Sequence, residues 1–157
     1  MSPGAVRRLG VGLVILTLLA AAPPKEERKE TVQVSVIAIL ATERDDKIDP
    51  KLECIAREVR KTHKKLTGFQ LVAMTGKSLA IGVRETFELV GDHKVGVTVK
   101  KAVDEKNRVQ VWVAPPQMGE ITYNTCCGKF LPLVTPVHIG KKDLLIIAVR
   151  VQPCRGK

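Results

Sequence analysis

The segment TVQVSVIAILA, Thr31–Ala41, has the clearest strand pattern in this sequence. Valines occupy alternate positions in its first half, with Gln33 and Ser35 between them, and Ile37–Leu40 is apolar throughout. Alternation with period two is typical of a strand with one polar face, whereas a continuous apolar run indicates a strand covered on both faces. The stretch therefore predicts a strand that enters the middle of a sheet.

Seven further runs have the composition and length of strands, and turn-rich segments separate most of them. They are Phe69–Met74, Val83–Val90, Val95–Lys101, Val109–Val113, Glu120–Thr125, Phe130–Val137 and Leu144–Gln152. One connecting segment, Thr75–Ser78, reads TGKS and is predicted to be a hairpin turn. Leu144–Gln152 is apolar on both faces and is predicted to be an inner strand.

One segment, Pro50–Leu66, has clear helical periodicity. Asp49 is a suitable N-cap, and Pro50 suits the first helical position. The apolar residues of this segment recur at about 100° per residue and form one stripe: Leu52, Ile55, Ala56, Val59 and Leu66. One amphipathic helix packed on a mostly antiparallel sheet of about six to eight strands is an α+β fold, and we expect residues 31–157 to form a single domain of this class.

The residues before this domain have the pattern of an export signal. Arg7 and Arg8 precede the apolar run Leu9–Ala22, which predicts a signal peptide over residues 1–22. Pro23 would follow the cut, where proline is unfavourable, so an uncleaved N-terminal anchor is the alternative. Residues 23–30, PPKEERKE, are predicted to be a charged tether. We expect an exported protein of the periplasm or cell envelope.

The charge of the chain limits the class of partner. Its 157 residues carry 26 Lys and Arg against 16 Asp and Glu, a net charge of +10 at pH 7. Such an excess favours polyanions and anionic membrane surfaces. Nucleic acid is not expected, because export argues against it and because aromatics are 3% of the chain, too few for stacking on single strands. The predicted partner is an unknown envelope protein or a polyanion, with peripheral membrane contact or the N-terminal anchor as the link to a membrane.

The polar face of the predicted helix is basic and offers a surface for such contacts. It carries Arg57, Lys61, Lys64 and Lys65, and Cys54 points the same way. A solvated helix face has the same pattern, so the pattern alone does not identify a site.

The four cysteines indicate disulfide bonding, because an exported chain meets oxidising conditions. Phe130–Val137 and Leu144–Gln152 flank the turn IGKKD and are expected to form a hairpin. A two-residue turn in this hairpin places Cys154 opposite Cys127, and a turn one residue different places it opposite Cys126 or Gly128. Facing Cβ atoms lie about 4.5–5.5 Å apart, which is close to what a disulfide needs. The predicted disulfide is therefore Cys127–Cys154, with Cys126 as the alternative partner.

A metal or redox site is the competing interpretation of these residues. Cys126, Cys127, His138 and Cys154 have ligand chemistry that suits zinc or copper(I). Adjacent cysteines, however, are not the C-x₂₋₄-C spacing of structural zinc sites, and no thioredoxin-like C-x-x-C is present. No metal or other cofactor is therefore predicted.

No catalytic signature occurs in the sequence. The TGKS segment lacks the first glycine of a phosphate-binding loop, because that position is Leu71. The acidic residues Asp45, Asp46 and Asp49 lack the alternation and central glycine of an EF-hand. A nucleophile elbow is missing as well. We therefore expect a protein that is not an enzyme.

The chain resembles a loose group of small exported bacterial proteins of unassigned function. The resemblance runs over Val32–Cys154 and is carried by VSVIAILAT, IDPKLECIA, LTGFQLV, SLAIG, GEITYNTCCGKFLPL and LLIIAVRVQPC. It implies an envelope location and a compact α+β domain, and it implies no activity. The predicted function is a non-enzymatic exported cell-envelope module with a binding or scaffolding role. The alternative is a thiol- or metal-binding envelope protein that uses Cys126, Cys127, Cys154 and His138.

Overall fold

The computed structural model describes residue 22 and residues 30–154. The predicted signal peptide and the charged tether lie almost wholly outside these residues. The helices and strands follow one another along the chain as β1 (Thr31–Thr42), a 3₁₀ turn (Pro50–Leu52), α1 (Glu53–Arg60), β2 (Gly68–Ala80), β3 (Arg84–Glu88), β4 (Lys94–Lys101), β5 (Arg108–Ala114), β6 (Ile121–Cys126), β7 (Leu131–Ile139) and β8 (Asp143–Gln152). Within the described residues, no helix has the length and apolar character needed to cross a membrane.

The strands form two antiparallel sheets of four strands each. The first sheet has the order β2-β1-β8-β7, and the second has the order β3-β4-β5-β6. The fold is therefore a sheet-rich α+β fold with one short helix, as predicted, but the prediction of one sheet with six to eight strands is wrong. The division arises between β2 and β3, because β3 pairs with β4 and leaves β2 paired with β1 alone.

The first sheet is covered on both faces. One face packs against the second sheet through a cluster that includes Val34, Val36, Leu145 and Ile147, and the other packs against α1 through a cluster that includes Ile37. Residues of β1 and β8 alternate between the two clusters, as the pleat of a strand requires. The apolar character of both faces thus explains the central position of β1 and β8, and the prediction that Leu144–Gln152 is an inner strand is confirmed.

The helical segment begins where predicted and ends earlier. The Asp49 carboxylate accepts a hydrogen bond from the Lys51 N–H at 2.9 Å, which confirms it as the N-cap. The helix was predicted to continue to Leu66, but α1 ends at Arg60. Beyond that point successive tight turns replace the helix, beginning with the Thr62 N–H, which donates to the Val59 carbonyl. Leu66 is nevertheless buried in the predicted apolar cluster, because the turns return it to the sheet.

The predicted turn at Thr75–Ser78 is wrong, because these residues lie inside β2. Gly76 pairs with Ser35, and Lys77 pairs with Val34. The first half of β1 needs a partner on this side, and the extended conformation of TGKS supplies it. The chain turns instead at Gly82, which has a φ of +82°, a conformation that glycine adopts readily.

The hairpin of β7 and β8 also differs in detail from its prediction. Ile139 lies opposite Asp143, so the turn has three residues rather than two, and Gly140 within it has a φ of +64°. The register then shifts between Val134 and His138. The pairing of the two strands is therefore correct, but its predicted register is not.

Candidate functional site

The disulfide joins Cys127 and Cys154, whose Cα atoms are 5.4 Å apart and which are 27 residues apart in the chain. The predicted pairing is confirmed, but the hairpin does not produce it, because β7 begins only at Leu131. Cys127 lies in the turn after β6, and this turn is held to β8 by the Gly128 N–H, which donates to the Val151 carbonyl at 2.9 Å. The disulfide therefore links the end of the second sheet to the end of the first.

The other two cysteines are free and exposed, and both line one groove. Cys54 belongs to α1, and Cys126 is the last residue of β6. The groove has a volume of about 580 Å³, and its lining includes the apolar side chains of Ile55 and Phe130. The sequence does not assign a partner to Cys54, and in the structure it lines the same groove as Cys126.

The residues of the predicted alternative metal site do not form one group. Cys127 and Cys154 are bonded to each other, so neither presents a thiolate in this state. His138 lies opposite Leu144 near the β7–β8 turn, whereas Cys126 precedes the other end of β7. At about 3.3 Å per residue, this strand of 9 residues is roughly 26 Å long. Nowhere in residues 30–154 do three or more His, Cys, Asp or Glu side chains gather where they could hold a metal ion.

The basic face of the helix forms a second groove, with a volume of about 650 Å³. Arg57, Lys61 and Lys64 line it, as does Arg60, which sequence analysis did not select. Lys65 is exposed but is not among the lining residues. Ile48 contributes apolar surface to this groove, Ala56 borders it but is only 1% exposed, and Glu53 is its one acidic residue. We call this groove the basic groove. Its four cations are Arg57, Arg60, Lys61 and Lys64.

The spacing of the four cations could have identified Arg60. They stand at positions i, i+3, i+4 and i+7, which lie on one side of a helix. Within the described part of the chain, Lys61 pairs with Glu58 at 2.7 Å, and the other three cations take part in no ion pair. The basic groove is therefore a concentration of positive charge with little compensation from carboxylates.

The acidic loop residues have structural roles. The Asp45 carboxylate accepts from the Lys47 N–H at 3.0 Å, and Asp49 caps the helical segment. Arg44 pairs with Asp143 at 2.6 Å and so ties this loop to the start of β8. These bonds satisfy local backbone and charged groups, which gives Asp45 and Asp49 structural roles.

Two ionisable groups have shifted pKa values. Burial raises the pKa of Tyr123, whose hydroxyl is buried and has no hydrogen-bond partner. The Arg108 backbone N–H, which donates to the carboxylate of Asp104, lowers the pKa of that exposed side chain. Tyr123 packs against the core between the sheets, and Asp104 closes a turn. Neither shift lies in the basic groove or in the groove of the free cysteines.

Comparisons with known protein families, with curated proteins and with solved structures find no match for this chain.

Proposed function

We propose that the protein is a non-enzymatic binding module of the cell envelope, and that its basic groove contacts an anionic component that bears phosphate groups. The observation that carries this proposal is the convergence of Arg57, Arg60, Lys61 and Lys64 on one groove. Phosphate groups accept hydrogen bonds from guanidinium and ammonium groups, and two of these cations are arginines that can bind in bidentate geometry.

The dipole of α1 is a simpler explanation for cations near the end of this helix, but it accounts for only some of the four. Positive charge near a helix C-terminus is favoured by the helix dipole, and Arg57 and Arg60 stand in the last turn. That effect falls off within one turn, so it does not explain Lys64, which lies beyond the helix. Cations held in one groove also repel one another, and a bound anion relieves this repulsion.

The partly exposed side chain of Ile48 gives the groove a second kind of contact. A phospholipid headgroup at a membrane surface offers phosphate beside apolar glycerol and acyl carbons, whereas a soluble polyphosphate offers charge alone. Both share the chemistry that the cations recognise, and the two sources are distinguished by experiment.

Two observations support the envelope as the location. The pattern of residues 1–22 is that of an export signal, and disulfides persist in oxidising compartments. The net charge of +10 favours association with anionic surfaces, since electrostatic attraction raises the rate of encounter.

The test is co-sedimentation of the protein with vesicles of phosphatidylglycerol and, separately, with vesicles of phosphatidylcholine, together with a titration by soluble polyphosphate. The groove variant combines Arg57→Ala, Arg60→Ala and Lys64→Ala. The control variant combines Lys106→Ala, Lys141→Ala and Lys142→Ala, which removes the same charge from exposed turns. We expect the groove variant to bind anionic vesicles at least tenfold more weakly than the wild type, and the control less than threefold more weakly.

Equal losses in the two variants would show that total charge rather than the groove determines binding, and would refute the proposal. Stronger binding to polyphosphate than to anionic vesicles would identify the soluble polymer as the source of the phosphate. Each binding curve is measured at two salt concentrations, because contacts between exposed charges weaken as salt rises.

A thiol-based function is the second candidate, and the shared groove of Cys54 and Cys126 favours it. Two thiolates are ligands that suit copper(I), so this pair replaces the set of Cys126, Cys127, His138 and Cys154. Copper(I) titration of the wild type should saturate at one equivalent if the two thiols act together. Single replacements, Cys54→Ser and Cys126→Ser, should each abolish that binding, and retention of binding in either variant would exclude the pair.

A further inference from the structure

The outer face of the second sheet carries a row of side chains that belongs to neither of the two apolar clusters. Arg84 lies opposite Thr98, Thr98 lies opposite Trp112, and Trp112 lies opposite Thr122. Residues that face each other across antiparallel strands project to the same side. The neighbouring positions Val97 and Val111 project to the core between the sheets, and α1 packs on the first sheet. The row therefore faces outward from the second sheet.

Two cations lie against the single indole of this row. The Arg84 Cζ is 4.6 Å from the centroid of the Trp112 ring, and the Lys100 Nζ is 5.8 Å from it. Neither cation belongs to an ion pair within residues 30–154. Arg84 and Lys100 therefore have positive charge that the indole attracts but does not neutralise.

Gly96 leaves room on the sheet for the guanidinium. A Cβ atom at this residue would stand 2.8 Å from the Arg84 Nε and 2.9 Å from its Nη2, closer than real Cβ contacts allow. The missing side chain lets Arg84 lie along the sheet toward Trp112. Beneath it, Thr98 is only 4% exposed. The exposed guanidinium thus lies beside the indole, with its planar set of donors available to a ligand.

Amide side chains stand next to this row. Gln110 lies opposite Asn124, two residues along β5 and β6 from the pair of Trp112 and Thr122. Because side chains two residues apart on a strand share a face, both amides join the indole on the outer side. Each amide offers donors and an acceptor, and Thr122 adds an exposed hydroxyl.

We propose that this face of the second sheet is a binding site for an acidic saccharide. A pyranose ring has an apolar face of C–H groups that packs on an indole, and its hydroxyls match the amides of Gln110 and Asn124. A carboxylate on the sugar pairs with Arg84 in bidentate geometry and with Lys100. The site goes beyond the function proposed for the basic groove, since it lies on the opposite sheet and uses none of the same residues.

A single-stranded nucleic acid fits these residues less well. Such ligands stack successive bases on successive aromatic rings. Trp112 is the one aromatic side chain on this face within the described residues, because Phe87 and Tyr123 pack in the core between the sheets. One indole beside amides suits one sugar ring better than a run of bases.

The experiment uses the intrinsic fluorescence of the full chain, because Trp112 is its single tryptophan. The protein is titrated with a hexasaccharide of galacturonic acid, with maltohexaose as the neutral match and with a single-stranded oligo(dT) of similar charge. We expect a saturable change in fluorescence with the acidic hexasaccharide and at least tenfold weaker binding of the other two ligands.

Three variants test the residues of the site. Arg84→Ala and Lys100→Ala should each weaken binding of the acidic hexasaccharide at least fivefold. Gly96→Ala keeps every charge but puts a Cβ atom where the guanidinium lies, so it should weaken binding by less than Arg84→Ala does. Lys94→Ala is the control. Lys94 lies on β4, as Lys100 does, and carries the same charge, but it pairs with Glu88 at 3.8 Å. The affinity of this variant for the acidic hexasaccharide should stay within twofold of the wild type.

Several outcomes would overturn the assignment. They are the absence of saturable binding by the acidic hexasaccharide, equal affinity of Lys94→Ala and Arg84→Ala, tighter binding of oligo(dT), and equal binding of maltohexaose. Thermal unfolding of each variant verifies that it is folded, and Lys100→Ala, at an exposed position, provides a readout if Gly96→Ala does not fold. The variant of the basic groove should bind the hexasaccharide as the wild type does, so the two proposals can fail separately.

Discussion

Gly128 lies directly against Cys154: a Cβ atom at Gly128 would stand 3.1 Å from the Cys154 Sγ, and the φ of Gly128 is +81°. The disulfide and the turn after β6 thus depend on one residue without a side chain. Two separate physical effects, backbone conformation and contact with sulfur, restrict this position to glycine.

Gly128→Ala should lower the free energy of unfolding by more than about 1 kcal/mol, because a positive φ alone costs about that much for a residue with a Cβ atom. Urea unfolding of the oxidised protein measures it. Gly82→Ala is the matched control: Gly82 has a φ of +82°, and a Cβ atom there would meet nothing within 4 Å, so this variant isolates the backbone effect. A smaller loss at Gly128 than at Gly82 would show that the sulfur contact costs nothing.

Removing the disulfide should cost about 3–4 kcal/mol of unfolding free energy, the entropy expected for closing a loop of this length in the unfolded chain. Cys154→Ser is compared with Cys54→Ser, which leaves the disulfide in place, by chemical unfolding under oxidising conditions. Titration of the unfolded, unreduced wild type with a thiol reagent should find two free thiols, from Cys54 and Cys126. Peptide mapping that joins Cys154 to either of these two would contradict the structure.

Ile55→Ala should lower the free energy of unfolding by about 2–5 kcal/mol, because Ile55 is only 4% exposed between α1 and the first sheet. Arg57→Ala, on the exposed side of the same helix, should change it by less than about 0.5 kcal/mol. Thermal and urea unfolding of the two variants measure the difference. Similar losses for both would show that the helix is not anchored through its apolar stripe.

Tyr123→Phe should change how stability depends on alkaline pH. The pKa of Tyr123 is raised in the folded state from its ordinary value of 10.0, so the folded protein holds this proton more tightly than the unfolded chain does. The contribution of Tyr123 to the free energy of unfolding is fully present below pH 10.0. It is lost as the pH rises from there toward the pKa of Tyr123 in the folded state. Tyr123→Phe should therefore lose less stability than the wild type above pH 10.

The same substitution should be neutral or stabilising at pH 7, by up to about 1 kcal/mol, because it removes a buried hydroxyl without a hydrogen-bond partner. Unfolding curves at pH 7, 9, 10 and 11 provide the comparison, and lysine titration is common to both proteins. Parallel stability profiles for wild type and Tyr123→Phe would contradict the buried position of the phenol.

The strands could be predicted from the sequence because each face of a strand has its own chemistry. The residues of β1 that alternate in the sequence separate into the two apolar clusters of the structure. The same pattern does not state which strand pairs with which, because period two identifies faces and not partners. For this reason the division into two sheets was missed.

Local turn propensity gave a wrong prediction where long-range strand pairing determines the backbone conformation. Thr75–Ser78 has turn-forming residues but extends as a strand, because β1 pairs with it over its whole length. Conversely, Leu66 continues the apolar stripe of the helix while the backbone has already left the helix at Arg60. A buried apolar residue satisfies the core from a turn as well as from a helix.

The candidate sites were visible in part. Arg57, Lys61 and Lys64 were selected as a basic face, and the helical spacing that connects them also includes Arg60. The alternation in VQVWV puts Gln110 and Trp112 on one face, but the approach of Arg84 and Lys100 depends on the pairing of β3, β4 and β5. Cys54 and Cys126 share a groove only because α1 lies beside the start of β7, which no local pattern contains.

The disulfide between Cys127 and Cys154 has a mechanical consequence. The end of β8 lies beside the start of β1, with Gln152 opposite Gln33, so tension applied to β1 acts on the same end of the sheet as the disulfide. A pull on Cys154 passes through the sulfur atoms into the turn after β6 and bypasses β7 and β8, which stay enclosed in a covalent ring. The protein should therefore extend under force by less than its chain length allows. The segment between the two cysteines, which are 27 residues apart, cannot extend until the bond is reduced.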